Sequence, residues 1–190
     1  MQLFYALIFL ALTLYRRYDK NRFEEKKDMS NDMEVKKPSD SAVESRYLLM
    51  PDQANPYGTA FGGVIVAWID MVGAMAAQRH CGKEVVTASI DSISFKEPIH
   101  VGDHVVLKAC VNYVGHTSME VGVRVVREDP YTAKQVIATT AHLTFVAIDK
   151  DKRPCPAPPI SPQTADEKRR YENAKLRVQA RKDLLSKIKR

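Results

Sequence analysis

The stretch that most constrains the fold of this chain is residues 62–78, GGVIVAWIDMVGAMAAQ, in which seventeen residues contain a single charge, Asp70. No polar face recurs at helical spacing, and this pattern is typical of a helix that is enclosed on all sides. Gly82, just after His80, is a good C-terminal stop for such a helix. The rest of the domain must therefore surround this helix.

Runs rich in Val, Ile, Thr and aromatic residues predict one strand before the helix and four after it, at residues 42–50, 85–95, 105–114, 118–127 and 135–148. The turns between the last four are short and contain Gly, Asp or Pro, which favours antiparallel neighbours. One apolar helix and such a sheet share a core only if the sheet curls around the helix. We therefore predict an α+β hotdog fold, with five to six antiparallel strands around one central helix.

The chain divides into three regions. Residues 1–41 combine an apolar leader with a charged linker, and residues 42–160 form the hotdog domain. Residues 161–190 follow a proline-rich segment and form a basic helix. Arg181 interrupts the apolar stripe of this helix, so we expect the helix to lie on a surface rather than in the core.

The apolar leader, residues 1–15, has two interpretations. Fifteen helical residues span about 22 Å, less than the roughly 30 Å hydrocarbon core of a bilayer. As a membrane anchor, the leader would hold the rest of the chain in the cytoplasm, because Arg16 and Arg17 follow it. The alternative, which we favour, is that translation starts at Met29 or Met33. Membrane contact is expected only if the leader is real.

Composition excludes several classes of protein. The 190 residues suit a single core. Three scattered cysteines argue against a disulfide framework or a zinc site, and they favour a reducing, cytoplasmic compartment. No pair of histidines in the sequence has the spacing of metal ligands. Residues 165–190 hold ten Lys or Arg against four acidic residues, which accounts for the whole net charge of +6. The domain itself is neutral, so we expect no nucleic-acid partner.

Asp70 is the first candidate for catalysis, because a carboxylate in an apolar helix is costly unless it is paired or functional. Gly63 lies seven residues earlier, about two turns away on the same face. Free N–H groups of Gly62 and Gly63 can stabilise an oxyanion, while Asp70 activates water or attacks directly. The alternative is an aspartate bonded to backbone at an interface. Asn55, in the preceding turn, can hold water or a carbonyl, although Asn also favours turns for backbone reasons.

The run NPYGTAFGGVIVAWIDMVGAMAA, residues 55–77, resembles the signature of hotdog acyl-CoA thioesterases of the cytosolic acyl-CoA hydrolase type. That signature pairs an Asn, a G-x-x-F-G-G turn and a helical Asp. Three later segments resemble the family in order and spacing: VVTASIDSISFKEPIHVGD, GHTSMEV and TFVAIDKDKRPCPAP. The resemblance covers roughly residues 42–160, and several ordered segments are more specific than a single motif.

The resemblance implies hydrolysis of acyl-CoA in an active site shared between two subunits. Asp70 acts as general base or nucleophile, and Asn55 of the partner chain positions the water or the thioester. The amides of Gly62 and Gly63 hold the carbonyl oxygen. The family implies a homo-oligomer. A dimer is the least that a shared site requires, and the family favours a hexamer built from three dimers. Neither a metal nor another cofactor is expected, since coenzyme A is part of the substrate.

For coenzyme A, the candidates are Thr117, Ser118 and Arg153, because hydroxyls and a guanidinium suit phosphates and pantetheine amides. Ordinary turn hydroxyls and a solvated arginine are the alternative interpretation. Two other functions stay open. A non-catalytic acyl-CoA sensor would usually carry a DNA-binding segment, and residues 1–41 show no helix-turn-helix pattern. A hotdog hydratase would need an Asp and a His close together, in a different motif.

Overall fold

The structure, a computed structural model, describes residues 33–188. Its main elements in chain order are β1 (Val43–Leu48), α1 (Gly62–Cys81), β2 (Glu84–Phe95), β3 (His104–Val114), β4 (Ser118–Glu128), β5 (Gln135–Ile148) and α2 (Ala165–Lys187). The predicted order of elements is therefore confirmed, although α1 runs three residues further than expected and β1 is shorter. The predicted leader and the first part of the linker lie outside the described residues.

The five strands form one antiparallel sheet in the order β1-β3-β4-β5-β2. β1 and β2 are its edges, and α1 packs against one face. Buried residues on that face include Val121 and Phe145, which meet Ile69 and Val72 of the helix in one core. The predicted hotdog fold, a curled sheet around a long helix, is confirmed.

The packing of α1 on the sheet depends on a glycine. A Cβ at Gly73 would lie 3.1 Å from the ring of Phe145, which is tighter than an ordinary contact. Gly73 therefore lets the aromatic ring of β5 approach the helix backbone. Close packing of this kind is what makes a core sensitive to added methyl groups.

α1 is less enclosed than its sequence predicts. Met71 and Met75, on one side of the helix, are each 46% exposed, whereas Ile69, Val72 and Ala76 are fully buried. The expectation of a helix enclosed on all sides is therefore wrong for a single chain. An apolar strip of this kind is typical of a surface that another molecule covers.

The C-terminal end of α1 is fixed by Gly82 and His80. Gly82 adopts the left-handed conformation, with φ of 64°, which glycine reaches without strain. His80 is fully buried, and its Nε2 lies 2.8 Å from the carbonyl oxygen of Pro158. Its Nδ1 is buried without a hydrogen-bond partner among residues 33–188. The histidine therefore joins α1 to the proline-rich segment as a neutral ring.

α2 lies on the outer face of the sheet, opposite α1, as its interrupted stripe predicts. The contact is mostly polar: Arg177 donates to both oxygens of the buried Glu120 on β4, at 3.2 and 2.6 Å. Arg181, the residue that breaks the stripe, pairs with Asp91 of β2. Arginine side chains, rather than the apolar stripe alone, thus hold the helix on the sheet.

No helix between residues 33 and 188 combines the length and the apolar character that crossing a membrane requires.

We predict that His80 makes the fold sensitive to acid. Burial lowers the pKa of His80 below its ordinary value of 6.5, because the charged ring would lose its hydration, and the nearby charge of Lys36 acts in the same direction. The unfolded chain then binds the proton more readily than the folded one, so stability falls as the pH drops below 6.5. Denaturant unfolding at fixed protein concentration between pH 7.5 and 5 measures this slope, which cannot exceed about 1.4 kcal/mol per pH unit for one proton.

The variant His80→Gln should flatten this slope, because glutamine can still donate to Pro158 but does not titrate. Part of the slope remains, since burial and the charge of Arg177 also lower the pKa of His142. A slope unchanged in His80→Gln would contradict the assignment.

Candidate active site

Asp70 lies in the middle of α1, where its carboxylate is partly buried and points at the edge strand β2. The hydroxyl of Thr87 donates to Asp70 Oδ1 over 2.7 Å. Within the described part of the chain, Oδ2 has no hydrogen-bond partner. Asp70 is therefore oriented through one oxygen and open for chemistry at the other.

Thr87 was not among the residues that the sequence indicated. The register of β2 against β5 shifts directly after it, between Thr87 and Ser89. Bulges often occur next to active sites, where they re-aim side chains. Thr87 pairs with the buried Phe145 and so faces α1. A threonine in a Val- and Ile-rich strand gives no sign of this in the sequence.

Gly62 and Gly63 open α1, and their N–H groups have no acceptor among residues 33–188. The next amide, that of Val64, already donates to Phe61 O over 2.9 Å. A Cβ at Gly63 would lie 2.5 Å from the ring of Phe61, so glycine allows the ring to lie against the backbone. Two free donors at the positive end of the helix dipole can stabilise a developing oxyanion.

A cavity of about 390 Å³ lies beside Gly62. Its walls include the apolar side chains of Ile65, Phe95 and Ile99, and Thr139 from β5. This size is within the range of about 300–1,000 Å³ that small-molecule sites occupy. The free helix amides therefore border a space that can take an apolar group.

Asn55 closes the turn that leads into α1. Its Oδ1 accepts from the amides of Tyr57 and Thr59, at 2.9 and 3.2 Å, and its Nδ2 donates to Thr59 Oγ1 over 2.9 Å. These hydrogen bonds alone explain an asparagine at this position as a turn residue that binds backbone amides. One N–H of the amide group has no partner in the described chain, so the side chain keeps one donor for a second contact.

The three N-terminal candidates form one group, and Asp70 with Thr87 forms another. The turn of Asn55 is joined to the start of α1, since the amide of Phe61 donates to Gln53 O over 2.9 Å. Asp70, however, lies seven residues after Gly63, about 10 Å further along the helix axis. Within one chain the two groups are thus too far apart to act directly on the same atom.

The candidates for coenzyme A binding lie near the other end of α1. Thr117 O accepts from the amide of Ala147, and Ala147 O from the amide of Cys155, each over 2.9 Å. Thr117 and Ser118 are therefore beside the segment of Arg153. The side chain of Arg153 is exposed, and its amide is bound by Asp149 Oδ1 over 2.9 Å. The fold brings these three residues to the same corner of the domain.

No group of three or more His, Cys, Asp or Glu side chains between residues 33 and 188 is arranged to hold a metal ion.

The curled sheet around one long helix is the hotdog fold, and comparison with known proteins shows the class of enzyme to which the chain belongs. A model of the thioesterase superfamily matches residues 57–134. An uncharacterized acyl-CoA thioester hydrolase of Bacillus subtilis strain 168 is 39% identical over 144 residues, which are 76% of this chain and 84% of that protein. The chain therefore belongs to the acyl-CoA thioester hydrolases of the thioesterase superfamily.

Two solved structures are similar throughout the domain. An acyl-CoA hydrolase from Staphylococcus aureus, in complex with butyryl coenzyme A and coenzyme A, is 38% identical with a TM-score of 0.76, over 79% of this chain and 92% of that one. A hexameric acyl-CoA thioesterase without ligand is 39% identical with a TM-score of 0.79, over 82% of this chain and 100% of that one.

We predict that Asn55 stabilises its turn independently of any role in catalysis. Asn55→Ala removes the acceptor for two backbone amides and should lower the free energy of unfolding by about 1–2 kcal/mol. Asn55→Asp keeps that acceptor and should stay within about 0.5 kcal/mol of the wild type. Urea unfolding measures both variants. Equal losses in the two would contradict the prediction.

Proposed function

We propose that this protein hydrolyses fatty acyl-CoA to a free fatty acid and coenzyme A in the cytoplasm. Asp70 acts as general base or nucleophile, and Asn55 of the partner subunit positions the water or the thioester. The observation that carries this proposal is the carboxylate of Asp70, which Thr87 holds through Oδ1 while Oδ2 has no partner among residues 33–188. The free cysteines of the described chain, Cys81, Cys110 and Cys155, favour a reducing compartment.

A carboxylate beside a thioester can promote its hydrolysis in two ways. As a general base, Asp70 takes a proton from water while the water oxygen bonds to the carbonyl carbon. The carbon–sulfur bond then breaks, and the thiolate of coenzyme A takes up the proton from Asp70. As a nucleophile, Asp70 would first form an acyl anhydride and expel the thiolate, and water would then hydrolyse the anhydride. In both cases the amides of Gly62 and Gly63 stabilise the oxyanion.

A second subunit completes this site. The donors at the start of α1 and the carboxylate in its middle are about 10 Å apart in one chain, so donors and carboxylate that meet must come from different copies. The exposed strip of Met71 and Met75 next to Asp70 and the open edge of β2 support such an interface. We therefore propose a homo-oligomer with a dimer as its unit. The hexameric neighbour supports three such dimers.

A separate comparison supports the choice of residues. The Staphylococcus aureus hydrolase has been solved as variants in which an aspartate, an asparagine or a threonine is replaced by alanine. The three positions have the same separations along that chain as Asn55, Asp70 and Thr87 have here. We therefore assign Thr87 to the site, as the residue that orients Asp70.

The substrate is expected to extend from this centre in two directions. The acyl chain would enter the apolar cavity of about 390 Å³ beside Gly62. Coenzyme A would bind through Thr117, Ser118 and Arg153, of which the exposed guanidinium suits a phosphate. The reaction needs no metal and no cofactor besides the coenzyme A of the substrate.

The proposal predicts that Asp70→Asn abolishes turnover without dissolving the oligomer. Release of free thiol from a panel of acyl-CoAs, from acetyl to palmitoyl, should fall at least roughly hundredfold for every chain length that the wild type hydrolyses. Size-exclusion chromatography checks that the assembly persists. Binding of acyl-CoA without turnover by the wild type would instead favour the sensor.

Thr87 supplies a matched pair of controls for this experiment. Thr87→Val removes the hydroxyl but keeps the shape, and kcat should fall roughly tenfold or more, as expected for the loss of a hydrogen bond to a charged group. Thr87→Ser restores the hydroxyl and should recover most of the activity. Equal activity in the Val and Ser variants would remove Thr87 from the mechanism.

A further inference from the structure

The outer face of the sheet carries a second cavity, opposite α1. α2 crosses this face from the β1 side, where Glu167 accepts from the amide of Ser39 over 3.2 Å, to β2, where Arg181 contacts Asp91. Next to the helix lies a space of about 620 Å³, larger than the cavity beside Gly62. The strands form its floor, and the flank of α2 forms one wall.

The floor of this cavity is formed by residues that are small or polar. Cys110, Gly122 and His142 lie side by side on β3, β4 and β5. A Cβ at Gly122 would lie 2.5 Å from Asn112 Nδ2, so only glycine leaves this asparagine in place. Asn112, which is 2% exposed, in turn donates to Glu120 over 3.4 Å. The absence of a side chain at Gly122 therefore lets Asn112 lie against the sheet beside the cavity.

The walls carry an excess of positive charge. Cations line the cavity from both sides, Lys108 and Arg124 from the strands and Arg169, Arg170 and Arg177 from α2. Three carboxylates pair with them: Glu44 with Lys108, Glu120 with Arg177, and Asp166 with both Arg169 and Arg170. The charge of Glu167 also acts on Arg170, so five cations face four anions.

Two of these arginines have unused hydrogen-bonding capacity. Arg124 has no ion pair within residues 33–188, and Nε of Arg170 is buried there without an acceptor. Arg124 is on the sheet and Arg170 is on the helix, so like charges face each other across the space. Asp166 is a carboxylate whose charge acts on both of them and on Arg169, so one anion faces three guanidinium groups that repel one another. On the floor, burial and then the charge of Arg177 lower the pKa of His142, while the charges of Glu120 and Asp91 act in the opposite direction.

We propose that this cavity binds a small phosphate-bearing anion, held between Arg124 of β4 and Arg170 of α2. A guanidinium group can donate two parallel hydrogen bonds to the oxygens of a phosphate. A phosphate also has enough oxygens to accept from donors on both walls of the cavity. His142 and Asn173 line the same space and offer neutral contacts. The site lies on the face of the sheet opposite Asp70, and its existence does not depend on the hydrolysis of acyl-CoA.

Inorganic pyrophosphate is the probe, titrated into the full chain by calorimetry at low salt. We expect saturable binding of one pyrophosphate per chain, weakened by added sodium chloride. Arg124→Gln and Arg170→Gln should each weaken the affinity roughly tenfold or more. Arg124→Gln decides the test, because Arg124 is exposed and its loss breaks no ion pair of the described fold. Circular dichroism confirms that both variants are folded.

Two control variants distinguish binding in the cavity from binding elsewhere on the chain. Lys182→Gln removes a positive charge from the same helix outside the cavity, and Arg153→Gln removes the arginine proposed for coenzyme A. Both should bind pyrophosphate as the wild type does. Three results would overturn the proposal: no saturable binding at millimolar pyrophosphate, full binding by Arg124→Gln, or loss of binding in Arg153→Gln instead. Loss in Arg153→Gln would place the anion at the coenzyme A site.

Discussion

The burial of one long apolar helix with a carboxylate in its middle governs the rest of this structure. α1 can satisfy its apolar side chains only inside the curled sheet, and Asp70 can remain there only with a polar partner. Thr87 is that partner, at 2.7 Å. The hydroxyl occupies one oxygen, and the other has no partner in the described part of the chain, so it is available for chemistry.

The same helix is the reason for proposing an active site that two chains share. Its N-terminal amides and Asp70 lie about 10 Å apart on the same helix. A packed helix does not bend enough to bring them together. The side of α1 next to Asp70 is apolar and open, with Met71 and Met75 exposed. A second copy that covers this side can contribute the turn of Asn55 and the donors that the first copy holds too far away. In the proposed dimer, assembly and catalysis therefore depend on the same helix.

Much of the fold could be predicted from the sequence, because its strongest signals are local. The uncharged run of α1, the left-handed Gly82 and the β-branched strands each depend on a short stretch of chain. Thr87 could not be found in this way, since its contact with Asp70 joins two elements and residues 17 positions apart. Nor could the polar contact of α2 with the sheet, because the pairing of Arg177 with Glu120 joins residues 57 positions apart. The exposed strip of α1 was predicted to be buried, and in a single chain it is not.

The central claim is that Asp70 of one subunit acts with Asn55 of another, and mixing two inactive variants tests it directly. Asp70→Asn and Asn55→Asp would be unfolded together, refolded as a mixture and assayed for thiol release. Random pairing leaves one intact site in each hybrid dimer, so about a quarter of the wild-type activity should return. Activity no higher than the sum of the two variants refolded separately would contradict a shared site.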